Sequence, residues 1–398
     1  MLTPTTSLIG RVFVAAVLSL VFVTTARADD PASFRIIGHV PGRILVQPKA
    51  GVSDADLDGA VRTHRGRRTH HMRASNVHVV QLTAGSDERA VLRALRRNPR
   101  IKFAELDEVV ELAATTNDPL ASTSWHLAKI NAPAAWDRAA GTGVIVAVLD
   151  TGVDATHPDL ITRLVAGWNL YDNNADTRDV HGHGTKTAGT VGEAANNAIG
   201  GVGVSWDARI MPIRIGSPSG TSTFSLIAAG ITWATDHGAR VASVSFRGLG
   251  ASATVLSAAQ YMRSKGGVVV VAAGNEGTLQ STPPSNFITT VAATGSTDVR
   301  ASFSNYGPFI DVAAPGVSIR TTVRGGTYGT ASGTSFSTPI VAGIYALMMS
   351  VNGALSPTQL DSMLFASAID LGAAGFDDYY GYGRVDAAAA VAAAAGAG

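Results

Sequence analysis

The chain predicts an α/β fold, a mostly parallel twisted sheet with helices on both faces, preceded by a small α+β domain. Three observations lead there. From residue 117 onward, apolar runs rich in β-branched residues, VIVAVLD (144–150), RIMPIRI (209–215), RVASVSF (240–246) and GGVVVVAAGN (266–275), alternate with helical stretches. Continuous runs of this kind are strands buried on both faces, as parallel sheets require. Residues 34–111 have another texture, short alternating strands between charged amphipathic helices, so a separate unit precedes the sheet. At 398 residues, 46% of them hydrophobic, the chain is long enough for more than one folding unit.

Residues 1–28 are expected to be a secretory signal peptide. Arg11 gives a weak basic start, VFVAAVLSLVFV (12–23) is the apolar core, and Ala26-Arg27-Ala28 is a small-x-small cleavage site. The apolar run is short for a membrane span of about 20 residues. The expected product is secreted and extracellular, with periplasmic retention as the variant, and free of the membrane once the signal is removed.

In residues 29–116, RILVQPK (43–49), NVHVVQLTA (76–84) and IKFAELDEVVEL (101–112) read as strands, and residues 53–66 and 87–99 as helices. That β-α-β-α-β order predicts a ferredoxin-like α+β sandwich. The basic run RTHRGRRTHH (62–71) reads as a solvated loop. His39, His64, His70, His71 and His78 are half of the ten histidines, and their protonation near pH ~6.5 is expected to loosen this domain. AATTNDP (113–119), small and polar, reads as the linker and maturation site.

The charge balance excludes a polyelectrolyte partner. Residues 29–116 hold 14 Lys+Arg against 11 Asp+Glu, residues 117–398 hold 15 against 19, and the whole chain is +1. Nucleic-acid binding is not expected. With no cysteine, disulfides and thiolate metal sites are impossible.

The chemistry-bearing residues lie beyond residue 117. Asp150 ends the run VIVAVLD, where open α/β sheets gather functional groups, although a lone carboxylate there is commonly a turn former. DVHGHGTKTAG (179–189) sets His183 between Gly182 and Gly184, and His181 two residues earlier leaves a zinc reading open. The runs 222–238 and 252–266 read as helices, and Asn275 in AAGNEG (272–277) reads alone as a turn. SGTSFSTPIVAGIYALMMS (332–350) puts Ser335 at the mouth of a helix, with Pro339 in its first turn and Ile340, Val341, Ile344, Leu347 and Met348 at helical spacing. Ser335 is then an N-cap or a nucleophile whose own N–H is free to meet an oxyanion.

Taken together, VLDTGVD, GHGT, AAGNEG and GTSFSTP, in that order, resemble the motifs of the subtilisin-like serine peptidases, the subtilase family. Their Asp…His…Ser order differs from that of chymotrypsin-like and α/β-hydrolase enzymes. The resemblance covers residues 118–391, including ASFSNYGPFIDVAAPGVSI before the serine and YGYGRVDAAAAV after it. It implies a serine endopeptidase with Asp150, His183 and Ser335 as catalytic triad and Asn275 as oxyanion donor. It also implies a peptidase domain over 117–391 with an Ala/Gly-rich tail (392–398). Residues 29–116 would then be an inhibitory pro-region, an intramolecular partner removed by self-cleavage. Protein or peptide substrates and a monomer are expected.

Site residues carry over one by one. Ser245, Phe246 and Arg247 in SVSFRG match an edge strand that pairs with extended peptides, but Arg247 stands where the family usually has glycine. That departure would narrow the cleft or favour acidic residues in the substrate. Ala272, Ala273 and Gly274 would wall the pocket for the residue before the cut, while Phe224, Ile227 and Phe246 would line one further upstream, or serve as plain core. Lys186 also departs from the family. HPDL and ANNAIGG resemble a structural calcium site, with side-chain oxygens from Asp159 and Asn197, backbone carbonyls from Ala195, Ile199 and Gly201, and Asp118 as a further ligand. Ser124 stands where the family has glutamine. No organic cofactor is expected. An α/β-hydrolase esterase would need Gly-x-Ser-x-Gly, where Ser337 breaks the pattern, and a dinucleotide oxidoreductase would need a glycine fingerprint after Leu149. A non-catalytic relative would be expected to lack one of the four motif residues.

Overall fold

The structure is a computed structural model that describes residues 34–112 and 116–397. The expected signal peptide, residues 29–33 and residues 113–115 of the expected linker lie outside the described residues. Two compact units divide between Leu112 and Ala113.

The first unit runs β1 (Phe34–Pro48), α1 (Asp54–Arg62), β2 (Gly66–Met72), β3 (Val77–Leu82), α2 (Glu88–Arg97) and β4 (Ile101–Leu112). The sheet order is β2-β3-β1-β4 with every pairing antiparallel, the ferredoxin-like arrangement. Ser53 and Asp87 cap the helices by accepting from the Asp56 and Ala90 N–H groups. Ile44, Val46, Leu57, Val80 and Leu95 form the core between helices and sheet.

The basic run is not a loop. Gly66 to Met72 forms the edge strand β2, so the order is β-α-β-β-α-β. The strand lacks apolar alternation because only Gly66 must face inward; a Cβ there would lie 2.8 Å from Val80 Cγ1. Its Arg and His side chains point outward, and a charged edge resists pairing with another chain. His71 stacks on His78 at 3.9 Å, and Arg68 pairs with Asp54 and Asp58 at 2.5 and 2.6 Å. His78 is buried, and that burial, then His71 and Arg68, holds its pKa below the ordinary histidine value.

The second unit opens with α3 (Trp125–Lys129) and α4 (Ala132–Trp136), then β5 (Ile145–Asp150), β6 (Trp168–Asn169), α5 (His183–Gly192) and β7 (Arg209–Arg214). It continues with α6 (Phe224–Asp236), β8 (Val241–Val244), α7 (Ala253–Ser264), β9 (Val268–Ala272), β10 (Thr289–Thr294) and β11 (Val312–Pro315). A hairpin, β12 (Ile319–Val323) and β13 (Thr327–Ala331), leads into α8 (Thr334–Val351), α9 (Pro357–Ala366) and α10 (Ala387–Ala395). Strands β5 to β11 form one sheet in the order β11-β10-β9-β8-β5-β7-β6, with every pairing parallel.

Central β5 is where the chain reverses direction across the sheet. From β5 it goes to one side for β6 and β7, then to the other for β8 onward, so the carboxyl end of β5 opens into a crevice. Alternate β5 residues feed two cores: Val146 and Val148 belong to the one that holds Ile340, Ile344 and Leu347 of α8, while Ala147 and Leu149 belong to the one that holds Ile231 of α6 and Ala259 of α7. Truncating the fully buried Leu149 to Ala would cost about 2–5 kcal/mol and slacken the strand that carries Asp150. The expected tail begins inside α10, because the alanine run has high helix propensity and Asp386 caps it at the Ala389 N–H, 2.9 Å.

Candidate active site

Three elements converge at the crevice: the end of β5, the start of α5 and the start of α8. Asp150 is 1% exposed, and both its carboxylate oxygens meet His183 Nδ1, at 2.8 and 2.9 Å. Oδ1 also accepts from the Thr151 N–H and Oδ2 from the Thr187 hydroxyl, which leaves the carboxylate no freedom to turn. The contact requires α5 to approach β5 closely. A Cβ on Gly184 would lie 2.0 Å from Gly152 O and 3.1 Å from Asp150 Cβ, so no other residue fits there.

His183 is the first residue of α5, and Asp179 fixes the loop that delivers it. One Asp179 oxygen accepts from the Thr151 hydroxyl (2.8 Å) and from the N–H groups of His181 (3.0 Å) and Gly182 (2.7 Å). The other accepts from the Thr185 N–H (2.9 Å) and hydroxyl (2.6 Å). Burial pushes the Asp179 carboxyl up, but the bonds from Thr185, Gly182 and His181 outweigh it and hold the carboxyl below its usual range. For His183, burial and Lys186 work downward, whereas the charge and hydrogen bond of Asp150, aided by Asp179, win and raise its pKa. His181 lies 6.4 Å from His183 between ring centres. Among the described residues, no three His, Cys, Asp or Glu side chains gather as a metal-holding group.

Ser335 is the second residue of α8, and the positive φ of Gly333 (149°) turns the chain into that helix. Its hydroxyl donates to the Ser245 carbonyl at 3.5 Å, and the Ser245 hydroxyl donates to the Ser335 carbonyl at 3.0 Å. The His183 ring sits 5.7 Å from that of Phe336, so the imidazole faces the start of α8. Among the described residues no hydrogen bond joins His183 to the Ser335 hydroxyl. Nucleophile–base bonds are often loose before substrate arrives.

Asn275 follows the end of β9, and its orientation is set by Thr334. The Thr334 N–H and hydroxyl both donate to Asn275 Oδ1, at 2.9 and 3.0 Å, and the same hydroxyl accepts from the Gly274 N–H at 3.1 Å. With the amide oxygen held inward, the exposed Asn275 amide nitrogen is left to donate near Ser335. A hydroxyl beside an oriented imidazole, with an amide and a helix-start N–H nearby, suits acyl transfer through a tetrahedral oxyanion.

The remaining expected residues divide. Ser245, Phe246 and Arg247 follow β8, and Ala272 ends the neighbouring β9 with Ala273 and Gly274 just beyond it, so the two segments lie side by side at the carboxyl edge of the sheet. Arg247 forms an ion pair with Glu276 at 3.1 Å. On α6, Phe224 is 48% exposed, whereas Ile227 is 3% exposed and packs in the core that half-buried Phe246 also joins. At the expected cation loop, Asp118 accepts from the Asn196 and Asn197 N–H groups at 2.8 and 3.1 Å, and Asn197 Nδ2 donates to the fully buried Asp159 at 2.5 Å. Ser124 points elsewhere, donating to Leu120 O at 3.3 Å. The Ile199 side chain is exposed while Ala195 and Gly201 are drawn inward, which leaves only their backbone groups as donors.

Sequence reasoning missed Asp179, Thr334 and Glu193. Glu193 is 2% exposed, accepts from the Gly201 N–H at 2.7 Å and adjoins Asp159; burial pushes its carboxyl up to about 8, against that N–H and with help from Asp159. Neither Asp159 nor Glu193 has a Lys or Arg partner among the described residues. Asn197 turns its amide nitrogen to Asp159 while its Oδ1 accepts from the Ile199 N–H at 3.1 Å, so the two buried carboxylates are the oxygen donors gathered here, and such hard oxygen ligands fit calcium.

Comparison with known proteins places this geometry. A model described as the subtilase family matches residues 141–383, and one for the fervidolysin N-terminal prodomain matches residues 37–107. The chain is 41% identical over 281 residues to thermitase of Thermoactinomyces vulgaris, covering 70% of this chain and 99% of that one. It is 34% identical over 360 residues to a thermophilic serine proteinase of Bacillus sp. strain AK1, covering 89% and 88%. The solved structure of fervidolysin from Fervidobacterium pennivorans, a keratinolytic enzyme related to subtilisin, aligns with a TM-score of 0.61 at 29% identity, over 89% of this chain and 61% of that one. The chain therefore belongs to the subtilase family and is a subtilisin-like serine endopeptidase with an N-terminal prodomain.

Proposed function

We propose that Ser335 is the nucleophile, His183 the general base and acid, Asp150 the group that orients His183, and Asn275 with the Ser335 N–H the oxyanion hole. The observation that carries this reading is the two-oxygen grip of Asp150 on His183 beside the start of α8. That grip fixes the proton on Nδ1 and leaves Nε2 free to accept. As Ser335 Oγ attacks a peptide carbonyl, its proton passes to Nε2, and Asp150 stabilises the imidazolium. Negative charge on the carbonyl oxygen meets the Asn275 amide and the Ser335 N–H. His183 then gives its proton to the leaving amine, an acyl-enzyme remains, and water releases it by the same steps.

The substrate runs extended beside Ser245–Arg247, with the side chain before the cut against Ala272–Gly274. Phe224 and Phe246 meet a residue further upstream, and Ile227 supports them from the core. Residues 29–116 act as an intramolecular inhibitor of the 117–391 domain until self-cleavage in the 113–119 stretch frees a secreted monomer. Calcium, held by Asp159, Asn197 and the carbonyls of Ala195, Ile199 and Gly201, supplies stability rather than chemistry, and Glu193 adds a second buried carboxylate beside Asp159. Asp118 braces the loop through its N–H groups. Expressing the full chain beside Ser335→Ala tests the reading: the wild type should shed its prodomain and hydrolyse casein, and the variant should persist as an intact precursor. A processed, active Ser335→Ala protein would overturn it.

A further inference from the structure

Arg247 stands just beyond β8, and its partner says what it does. Its Nε lies 3.1 Å from Glu276 Oε1. Arg247 belongs to the segment after β8 and Glu276 to the segment after the neighbouring β9, so the pair ties together two adjacent strand ends. A concavity lies there, with Arg247, Leu249, Ala272, Ala273, Asn305 and Phe309 in its lining. The pair lies against the pocket wall, since a Cβ on Gly274 would be 3.2 Å from Arg247 Cδ and 3.0 Å from Glu276 Oε2.

The two partners are held unequally. Glu276 Oε2 accepts from Asn305 Nδ2 at 2.7 Å, Asn305 Nδ2 also donates to Ala273 O at 3.2 Å, and Asn305 Oδ1 accepts from the Glu276 and Thr278 N–H groups, both at 3.1 Å. Glu276 is thus a fixed carboxylate held against Arg247 and Asn305, two residues of the pocket lining. The Arg247 side chain is 63% exposed, and this ion pair is what ties it down.

A fixed carboxylate alone would draw Lys and Arg side chains into the pocket, and a lone guanidinium would draw Asp and Glu. Paired within hydrogen-bonding distance, the two charges largely cancel at the distance of a bound side chain. Selection then falls to the mostly uncharged lining beneath. We infer that Arg247 is a specificity-determining residue whose ion pair with Glu276 makes the pocket mouth electrically neutral, so that the enzyme cuts after uncharged residues and disfavours both basic and acidic ones. This rests on the pocket placement given under the proposed function.

The test compares kcat/KM of the mature enzyme on peptide anilides that differ only in the residue before the cut: Leu, Lys or Glu. Each variant is read as its own Lys:Leu and Glu:Leu ratios, so a general loss of activity cancels. Arg247→Ala should raise the Lys:Leu ratio about tenfold by freeing Glu276, and Glu276→Gln should raise the Glu:Leu ratio about tenfold by freeing Arg247. The double variant should return both ratios towards wild type, and high salt should shrink the single-variant effects. Ratios that stay within about twofold in both single variants would overturn the inference, as would both variants raising the same one of the two ratios. Should the wild type hydrolyse no peptide, or Ser335→Ala hydrolyse the Leu peptide as well as the wild type does, the reading of the site itself fails. Flat ratios in an enzyme that Ser335→Ala inactivates defeat only the role of the pair.

Discussion

Asp179→Asn should cost both stability and the pH tuning of His183, and the size follows from counting bonds. Asp179 accepts five hydrogen bonds, and an amide offers only one accepting oxygen. The less damaging orientation turns the amide nitrogen towards Thr185, giving up two bonds and leaving the buried Thr185 N–H facing another donor. Each unmade buried bond costs about 1–3 kcal/mol, so the total for two is about 2–6 kcal/mol. For a domain of this size that corresponds to a fall of roughly 5–15 °C in apparent melting temperature. The comparison belongs on the Ser335→Ala background at one scan rate, where self-digestion cannot blur the transition.

Two further readouts separate this role from generic damage. The Asp179 carboxyl is held below its usual range, so its stabilisation is complete above the unfolded value of about 4 and is lost as pH falls through the folded value. The gap between parent and variant should therefore close in acid. Asp179 also raises the His183 pKa, so in the active enzyme its loss should move the acid limb of kcat/KM to lower pH. A melting change under about 2 °C, together with an unmoved acid limb, would refute the bracing role.

Lys186→Ala should act in the opposite sense, since Lys186 lowers the His183 pKa; the acid limb should move to higher pH with little change in melting. Asn275→Ala should lower turnover by about 10² to 10³, the loss measured for such a donor in a subtilisin, with a smaller effect on KM. Chelation should lower the melting temperature of the mature protein, and Glu193→Gln should shrink that response; a melting temperature indifferent to both chelator and calcium would end the calcium proposal.

The four motif residues are legible because each sits in a short string whose glycines and neighbours do local work. Gly184 must be bare for His183 to meet Asp150, and Gly333 must turn before Ser335, so side chain and backbone requirements are written side by side. Asp179 and Thr334 act through bonds that form only once a loop has folded or two segments have met, and nothing in DVHG or GTS alone announces this. Glu193 looks like the charged end of a helix until burial beside Asp159 reveals it. In the fold, β5 and β9 are evident from continuous Val and Ile, whereas β11 is a four-residue strand of Val, Ala and Pro with weak strand character. Strand β2 is hidden because an edge strand with one inward residue carries no apolar period.

The central claim, that Ser335 is the nucleophile activated by His183, is tested most directly by peptide mapping of the mature protein after treatment with a serine-phosphonylating reagent. One phosphonyl group is expected, on Ser335, with peptide hydrolysis lost in step with labelling, and no labelling at that site in His183→Ala. Continued hydrolysis with Ser335 unlabelled, or a label carried by another serine as activity disappears, would contradict it.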